Sequence, residues 1–206
     1  TSVEKIQFKP FRKFIEKPVE QLHFLMGFPS TSFKDILRFE SFIVNAYLGG
    51  GMTSRLYQEI RENRGLVYDI HSGLNSFEQG GMLNVYAACE PQNMSKVLKQ
   101  IEVEILKLLK LGIKSNVIEM FKTQVIGSIL LGADDVENRM QSMAVNEMIF
   151  GQYRSVEQVI KEIQKVNSSS VQKYLQKYIN PKKMGAIWMG AQAEQRQQEF
   201  SIFFKN

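Results

Sequence analysis

The hydrophobic pattern of this chain changes period near residue 92, and no other feature constrains its fold as strongly. Before that point apolar residues tend to alternate. In residues 20–28, Leu22, Phe24 and Met26 fall on one face and His23 and Leu25 on the other. In residues 82–89, Leu83, Val85, Ala87 and Cys89 share a face. After it, Met94, Val97, Leu98, Ile101, Ile105, Leu108 and Leu109 recur at i, i+3, i+4 and i+7. Period two buries one face of a strand, and period 3.6 buries one stripe of a helix. The spacing predicts strands over 22–28, 66–74, 82–89 and 185–190. It predicts a long helix over 94–110 with Ile101, Ile105 and Leu108 buried.

Local signals fill the intervals. Val3, Ile6 and Phe8 alternate weakly over residues 3–8, and Lys17-Pro18 interrupts. Ser32-x-x-Asp35 reads as a helix start, with Ile36, Phe39, Ile43 and Tyr47 at helical spacing. Gly49-Gly50-Gly51 stops that helix. Thr53 is placed to cap another, from Ser54 to about Asn63, with Leu56, Tyr57 and Ile60 as its apolar stripe. Gly65 breaks it, and Gly80-Gly81 turns a hairpin. Ile118, Phe121, Val125 and Ile129 mark one later helix, and Val136, Met140, Met143, Ala144 and Met148 mark the next, ended by Gly151. Ser155-x-x-Gln158 opens a short helix, and Val171, Tyr174, Leu175 and Tyr178 mark another that Pro181 stops. No strand–helix–strand unit repeats, so the expected class is α+β: a mainly antiparallel sheet with helices packed on one face. With no repeat, low-complexity segment or linker, residues 1–206 read as one domain.

Composition narrows the function classes. At 44% apolar and 23% charged, 206 residues can bury a core without staples, and the single Cys89 excludes an intrachain disulfide framework. The two histidines, His23 and His71, exclude a self-contained multi-histidine metal site. The net charge of +5 is spread out, with Lys96, Lys99, Lys107 and Lys110 interleaved with Glu102 and Glu104. That is a solvated helix face rather than a nucleic-acid surface. No apolar run is long enough to span a membrane, and no signal-peptide core follows the N-terminus. The chain opens on Thr1-Ser2 without an initiator Met and reads as a piece of a longer protein.

Individual residues that could carry chemistry mostly read as structure. The glycine triplet is not a phosphate loop, because Met52-Thr53-Ser54 replaces the required Lys-Ser/Thr and a helix precedes it. It reads as a flexible helix-to-helix turn with left-handed backbone. Neither histidine has a second histidine at metal-ligand spacing, and Cys89 sits on a strand face as a small buried hydrophobe. The ten methionines fall largely on helix stripes and read as core filling. The segment 48–68 is different. Arg61 lies in the last turns of its helix and Tyr68 in the following strand, with Gly65 permitting a sharp reversal. A guanidinium and a phenol so placed can converge and donate hydrogen bonds to a developing oxyanion or a peptide carbonyl.

Residues 48–68 read Leu-Gly-Gly-Gly-Met-Thr-Ser-Arg-Leu-Tyr-Gln-Glu-Ile-Arg-Glu-Asn-Arg-Gly-Leu-Val-Tyr. This run resembles the second-domain motif of the pitrilysin (insulinase) family of zinc metallopeptidases, to which the mitochondrial processing peptidases are similar. Thr53 stands for Ser, Tyr57 for Phe, Asn63 for Lys and Val67 for Ala. Residues 21–29, the Glu90-Pro91-Gln92-Asn93 turn and Gly151-Gln152-Tyr153-Arg154-Ser155 extend the likeness over about 20–190.

The resemblance implies a C-terminal domain of a zinc metalloendopeptidase that encloses and cleaves peptides. The zinc-binding H-x-x-E-H of such proteins lies in an N-terminal domain missing from this chain. Zinc is therefore expected in the full-length protein, with no metal ligand and no catalysis in this chain alone. It further implies that Arg61 and Tyr68 are catalytic, assisting from the facing half. Gly49, Gly50 and Gly51 are carried as substrate-binding candidates. The implied partners are a peptide substrate, the chain's own N-terminal domain, and a second family subunit in a homodimer or heterodimer. The alternative is a domain of a non-catalytic assembly or substrate-holding subunit, since some members have lost the zinc motif. The compartment stays open among cytoplasm, periplasm and mitochondrial matrix.

Overall fold

Alternation along the chain builds the sheet first. The computed structural model describes residues 6–200. Its elements in order are β1 (Phe11–Glu16), β2 (Leu22–Ser30), α1 (Arg38–Leu48), a π-helical segment (Tyr57–Glu62), β3 (Asp69–Ser76) and β4 (Gly81–Cys89). Then come α2 (Met94–Leu111), α3 (Ser115–Ala133), α4 (Val136–Phe150), α5 (Val156–Lys165), α6 (Ser168–Tyr178), β5 (Gly185–Gly190) and α7 (Gln197–Phe200). The five strands lie in the order β1-β5-β2-β4-β3. β2 pairs antiparallel with β4 and β5, β3 pairs antiparallel with β4, and β1 runs parallel to β5. The sheet is mainly antiparallel, as expected; the parallel edge strand makes it mixed.

One sheet face is sealed. Leu22, Phe24, Met26 and Phe28 of β2 and Leu83, Val85 and Ala87 of β4 are fully buried, and Trp188 of β5 stacks on Phe14 at 4.8 Å between ring centroids. α1 packs on β3 and α6 on β2, α2 lies beside α6, and α3 and α5 pack against α1. The α2 stripe holds: Val97, Ile101 and Ile105 are inaccessible and Leu108 nearly so. Burying each such side chain contributes about 1.5–3 kcal/mol. The other sheet face carries His23, Leu25, His71 and Tyr86.

Four local expectations need correction. Val3 lies outside the described residues, residues 6–8 form no strand, and the first strand is Phe11–Glu16. Phe14, stacked on Trp188, fixes that edge strand's position, a long-range contact that weak local alternation does not reveal. The first helix begins at Arg38, not Ser32; Ile36 is 90% exposed. Asp35 instead accepts from the Leu37 amide at 2.8 Å and from Lys177 and Tyr178 of α6, so it works as a tie between elements. The strand after Gly65 starts at Asp69 rather than Leu66. Gly65 takes a φ of +59°, and the chain needs three more residues to complete the reversal.

The fourth correction concerns α4. It is a helix, but all its apolar stripe faces outward: Val136 is 82% exposed, Met140 62% and Met148 85%. These methionines do not fill this domain's core.

Candidate functional site

The segment that follows α1 is held rigidly to the body of the domain. Gly49 passes β3 so closely that a Cβ there would sit 2.5 Å from the Ser72 nitrogen, and the Ser72 amide donates to the Gly49 carbonyl at 2.9 Å. A Cβ at Gly50 would meet the Ala46 Cα at 2.7 Å. Gly51 is roomier, with the Gln124 amide nitrogen at 3.4 Å. None of the three has positive φ. The left-handed, flexible turn expected there is instead a tight contact between a helix end and a strand. Ser54, fully buried, donates to the Gly51 carbonyl at 2.5 Å. Thr53 does not cap the following helix; its hydroxyl donates to Gln124 of α3.

The helix after Ser54 widens over Tyr57–Glu62 into a π-helix, with the Asn63 amide bonding back five residues to the Gln58 carbonyl at 2.9 Å. Such turns are rare and occur frequently at functional sites. Three arginines sit on or beside it, and their partners sort them. Arg55 donates from Nε and Nη2 to the buried Glu104 of α2 at 3.1 and 2.8 Å and also pairs with Glu59. Arg64 pairs with Glu59 at 3.0 Å. Both are structural. Arg61, exposed, has no carboxylate partner among the described residues. Its guanidinium lies over the Tyr57 ring, 4.9 Å from the centroid, and donates to the Tyr57 hydroxyl at 2.8 Å. Arg61 pairs with neither Glu62 nor Asp69; Asp69 accepts from His71 instead.

Tyr68 stands at the mouth of β3, 53% exposed, with its amide donating to the Ala88 carbonyl. Its hydroxyl donates to Glu90 at 3.2 Å. That hydrogen bond, with the carboxylate's charge, holds the phenol above its ordinary pKa, so it remains protonated and a donor. Arg61 and Tyr68 thus flank the Gly65 reversal as two polar donors, each resting on its own neighbour: Tyr57 and Glu90. Tyr57 was legible, because residues four apart on a helix meet. Glu90 was not, because it depends on the β3–β4 register.

No local sequence pattern pairs the two histidines. Cross-strand register sets both around Tyr86 on the open sheet face. His23 Nδ1 is 2.7 Å from the Tyr86 hydroxyl, and the His71 and Tyr86 ring centroids are 5.0 Å apart. His71 Nδ1 is 3.1 Å from an Asp69 oxygen. Among the described residues no three His, Cys, Asp or Glu side chains cluster as a metal site. Catalytic zinc needs three protein ligands and an open position, and the described residues do not supply them. Cys89 is buried, which pushes its thiol up to about 12 and leaves it unreactive.

Residues 2–125 match the family model described as the peptidase M16 inactive domain. An uncharacterized zinc protease of Mycobacterium leprae is 32% identical over 197 residues, covering 95% of this chain and 44% of that protein. The uncharacterized zinc protease YmxG of Bacillus subtilis is 30% identical over 171 residues, covering 83% of this chain and 42% of that protein. The chain therefore spans less than half the length of these relatives. A crystal structure of a peptidase M16 inactive domain from Pseudomonas fluorescens superposes with a TM-score of 0.79 at 22% identity, covering 92% of this chain and 46% of that one. A conserved protein from Enterococcus faecalis gives 0.78 at 18% identity, covering 91% and 43%. These structures share the fold. On the family match over residues 2–125, the chain belongs to the peptidase M16 inactive-domain family, the non-metal-bearing part of zinc-protease-like proteins.

Proposed function

We propose that this domain serves as the substrate-holding and transition-state-assisting half of a zinc endopeptidase whose metal is bound by a separate N-terminal domain. Arg61 carries the proposal. Among the described residues it is the one arginine of the motif whose charge no carboxylate neutralises, and Tyr57 holds it at the surface. A peptide carbonyl turning tetrahedral gathers negative charge on oxygen. Donors already aimed at that oxygen stabilise the transition state without reorganisation. The protonated Tyr68 phenol is the second donor. Both can exchange their present contacts for a substrate oxygen, since both are exposed and neither anchors the core. Gly49 and Gly50 contribute indirectly, by setting the helix end against β3 so that the π-helical segment cannot drift.

The proposal includes a protein partner. A helix that exposes Val136, Met140, Met143 and Met148 presents an apolar surface that solvated monomers seldom keep. Its cover is the chain's own N-terminal half or a second family subunit. The test compares the whole protein, its zinc content measured, with this chain alone on a short unfolded peptide. The whole protein is expected to cleave, and the chain alone to leave the peptide intact at equal molarity. Comparable cleavage by the chain alone overturns the reading. A zinc-free, inactive whole protein replaces it with a non-catalytic assembly subunit.

A further inference from the structure

Away from that site, two arginines share the same aromatic neighbours and line the same cavities. Arg38 opens α1, and Arg154 lies in the loop between α4 and α5. The Arg38 guanidinium carbon is 5.4–5.8 Å from the ring centroids of Phe33, Phe39, Phe42 and Phe150. The Arg154 carbon is 5.8 Å from Phe39 and 5.1 Å from Phe150. The same two rings therefore carry two like charges. Burial, and then the charge of Arg154, both lower the Arg38 pKa. Arg38 Nε is buried and has no hydrogen-bond partner among the described residues. Among the described residues, no carboxylate lies within ion-pair distance of either guanidinium.

The two side chains line a cavity of about 680 Å³ and a smaller one of about 300 Å³. Arg139, Asn138 and Asn146 add donors to the larger. The nearby acids are mostly engaged elsewhere: Asp35 by Lys177 and Tyr178, Glu162 by Lys165, and Glu157 by Ser155 and its own backbone. Asp134, exposed, also lines the larger cavity. An unsatisfied buried donor and an unneutralised cation pair each cost free energy, and a bound oxyanion would remove both costs.

We infer that Arg38 and Arg154 form a binding site for a small oxyanion, a carboxylate or a phosphate, seated between the two guanidiniums. The planar donor fork of each suits either group, and the phenylalanine rings pack against both guanidiniums. The site is independent of Arg61 and Tyr68 and does not rest on the peptidase reading.

The test titrates the whole protein with inorganic phosphate, and separately with acetate, by calorimetry at constant ionic strength made up with chloride. Saturable one-to-one binding of either anion is expected, and which one binds identifies the source chemistry. Arg38→Gln and Arg154→Gln should each weaken it by about tenfold or more, the loss expected for one charge-assisted contact. Lys99→Gln, on the exposed face of α2, should leave it unchanged. If Arg38→Gln does not fold, Arg154→Gln, in a loop, still decides. No saturable binding, or binding that survives Arg154→Gln or falls equally with Lys99→Gln, overturns the site.

Discussion

Gly49→Ala separates the packing role of the glycine triplet from a flexible or purely ligand-binding one. The Gly49 φ of −157° is open to any residue, so backbone strain does not enter. What enters is the added methyl. It would lie 2.5 Å from the Ser72 nitrogen and 2.9 Å from the Ser72 Cβ and Oγ. The first of these is backbone of a paired strand and cannot rotate away. To make room, the end of α1 must separate from β3. The Ser72–Gly49 hydrogen bond at 2.9 Å is then weakened, as are the Ser72 hydroxyl's bonds to the Asn45 carbonyl and side chain at 3.0 and 2.8 Å. Overpacking of this kind costs about 1–3 kcal/mol, and one weakened hydrogen bond adds about 1 kcal/mol. A loss of about 2–4 kcal/mol lowers Tm by on the order of 4–16 °C in a chain of this size. Gly50→Ala, facing the Ala46 Cα at 2.7 Å, should behave alike. Gly51→Ala meets only the tip of Gln124 and should lie within about 0.5 kcal/mol of wild type. Scanning calorimetry on the three variants reads the order directly. Gly49→Ala melting with wild type, or Gly51→Ala as the worst of the three, refutes the reasoning.

Two further predictions follow from ion pairs. Arg55→Ala strands the buried Glu104, which keeps only Lys107 at 2.7 Å; because Arg55 and Lys107 reach solvent, the expected cost in urea unfolding is about 1–3 kcal/mol, below that of a fully buried pair. Arg64→Ala, which breaks only a surface pair, should cost under about 1 kcal/mol, and equal losses for the two would contradict the sorting. At Asp35, burial raises the carboxyl's pKa, but hydrogen bonds from Tyr178, the Leu37 amide and Lys177 outweigh it, so the folded value is depressed. Its stabilisation is therefore present above the ordinary carboxylate pKa of about 4 and is lost as pH falls through the folded value. Asp35→Asn should destabilise at pH 7 and progressively less as pH falls below about 4, read by urea unfolding at each pH; an effect that does not change with pH would show that its charge is irrelevant.

The sequence was most legible where local pattern and burial coincide. The α2 stripe named Ile101, Ile105 and Leu108 because one face of that helix meets the core and the other meets water. α4 shows the limit of the same reasoning. Val136, Met140 and Met148 keep helical spacing yet face outward, since periodicity identifies an apolar face but not what covers it. β1 was misplaced because the Phe14–Trp188 stack that fixes it spans nearly the whole chain. At the candidate site the motif identified Arg61 and Tyr68, but the roles of their neighbours came from register and ion pairing. Arg55 and Arg64 look equivalent to Arg61 along the sequence, and only the fold shows that Glu104 and Glu59 neutralise them. The Arg38–Arg154 pair left no local trace, because its members are 116 residues apart.

Turnover of the whole protein with Arg61→Ala, and separately with Tyr68→Phe, tests the account most directly. Each variant is measured for kcat on a peptide, with zinc content and Tm matched to wild type so that a lost donor is not confused with a lost fold. Each donor removed from a developing oxyanion should lower kcat by about 10²–10³-fold. Near-normal kcat in both variants, at unchanged zinc and Tm, would contradict the central claim and leave Arg61 and Tyr68 as surface structure.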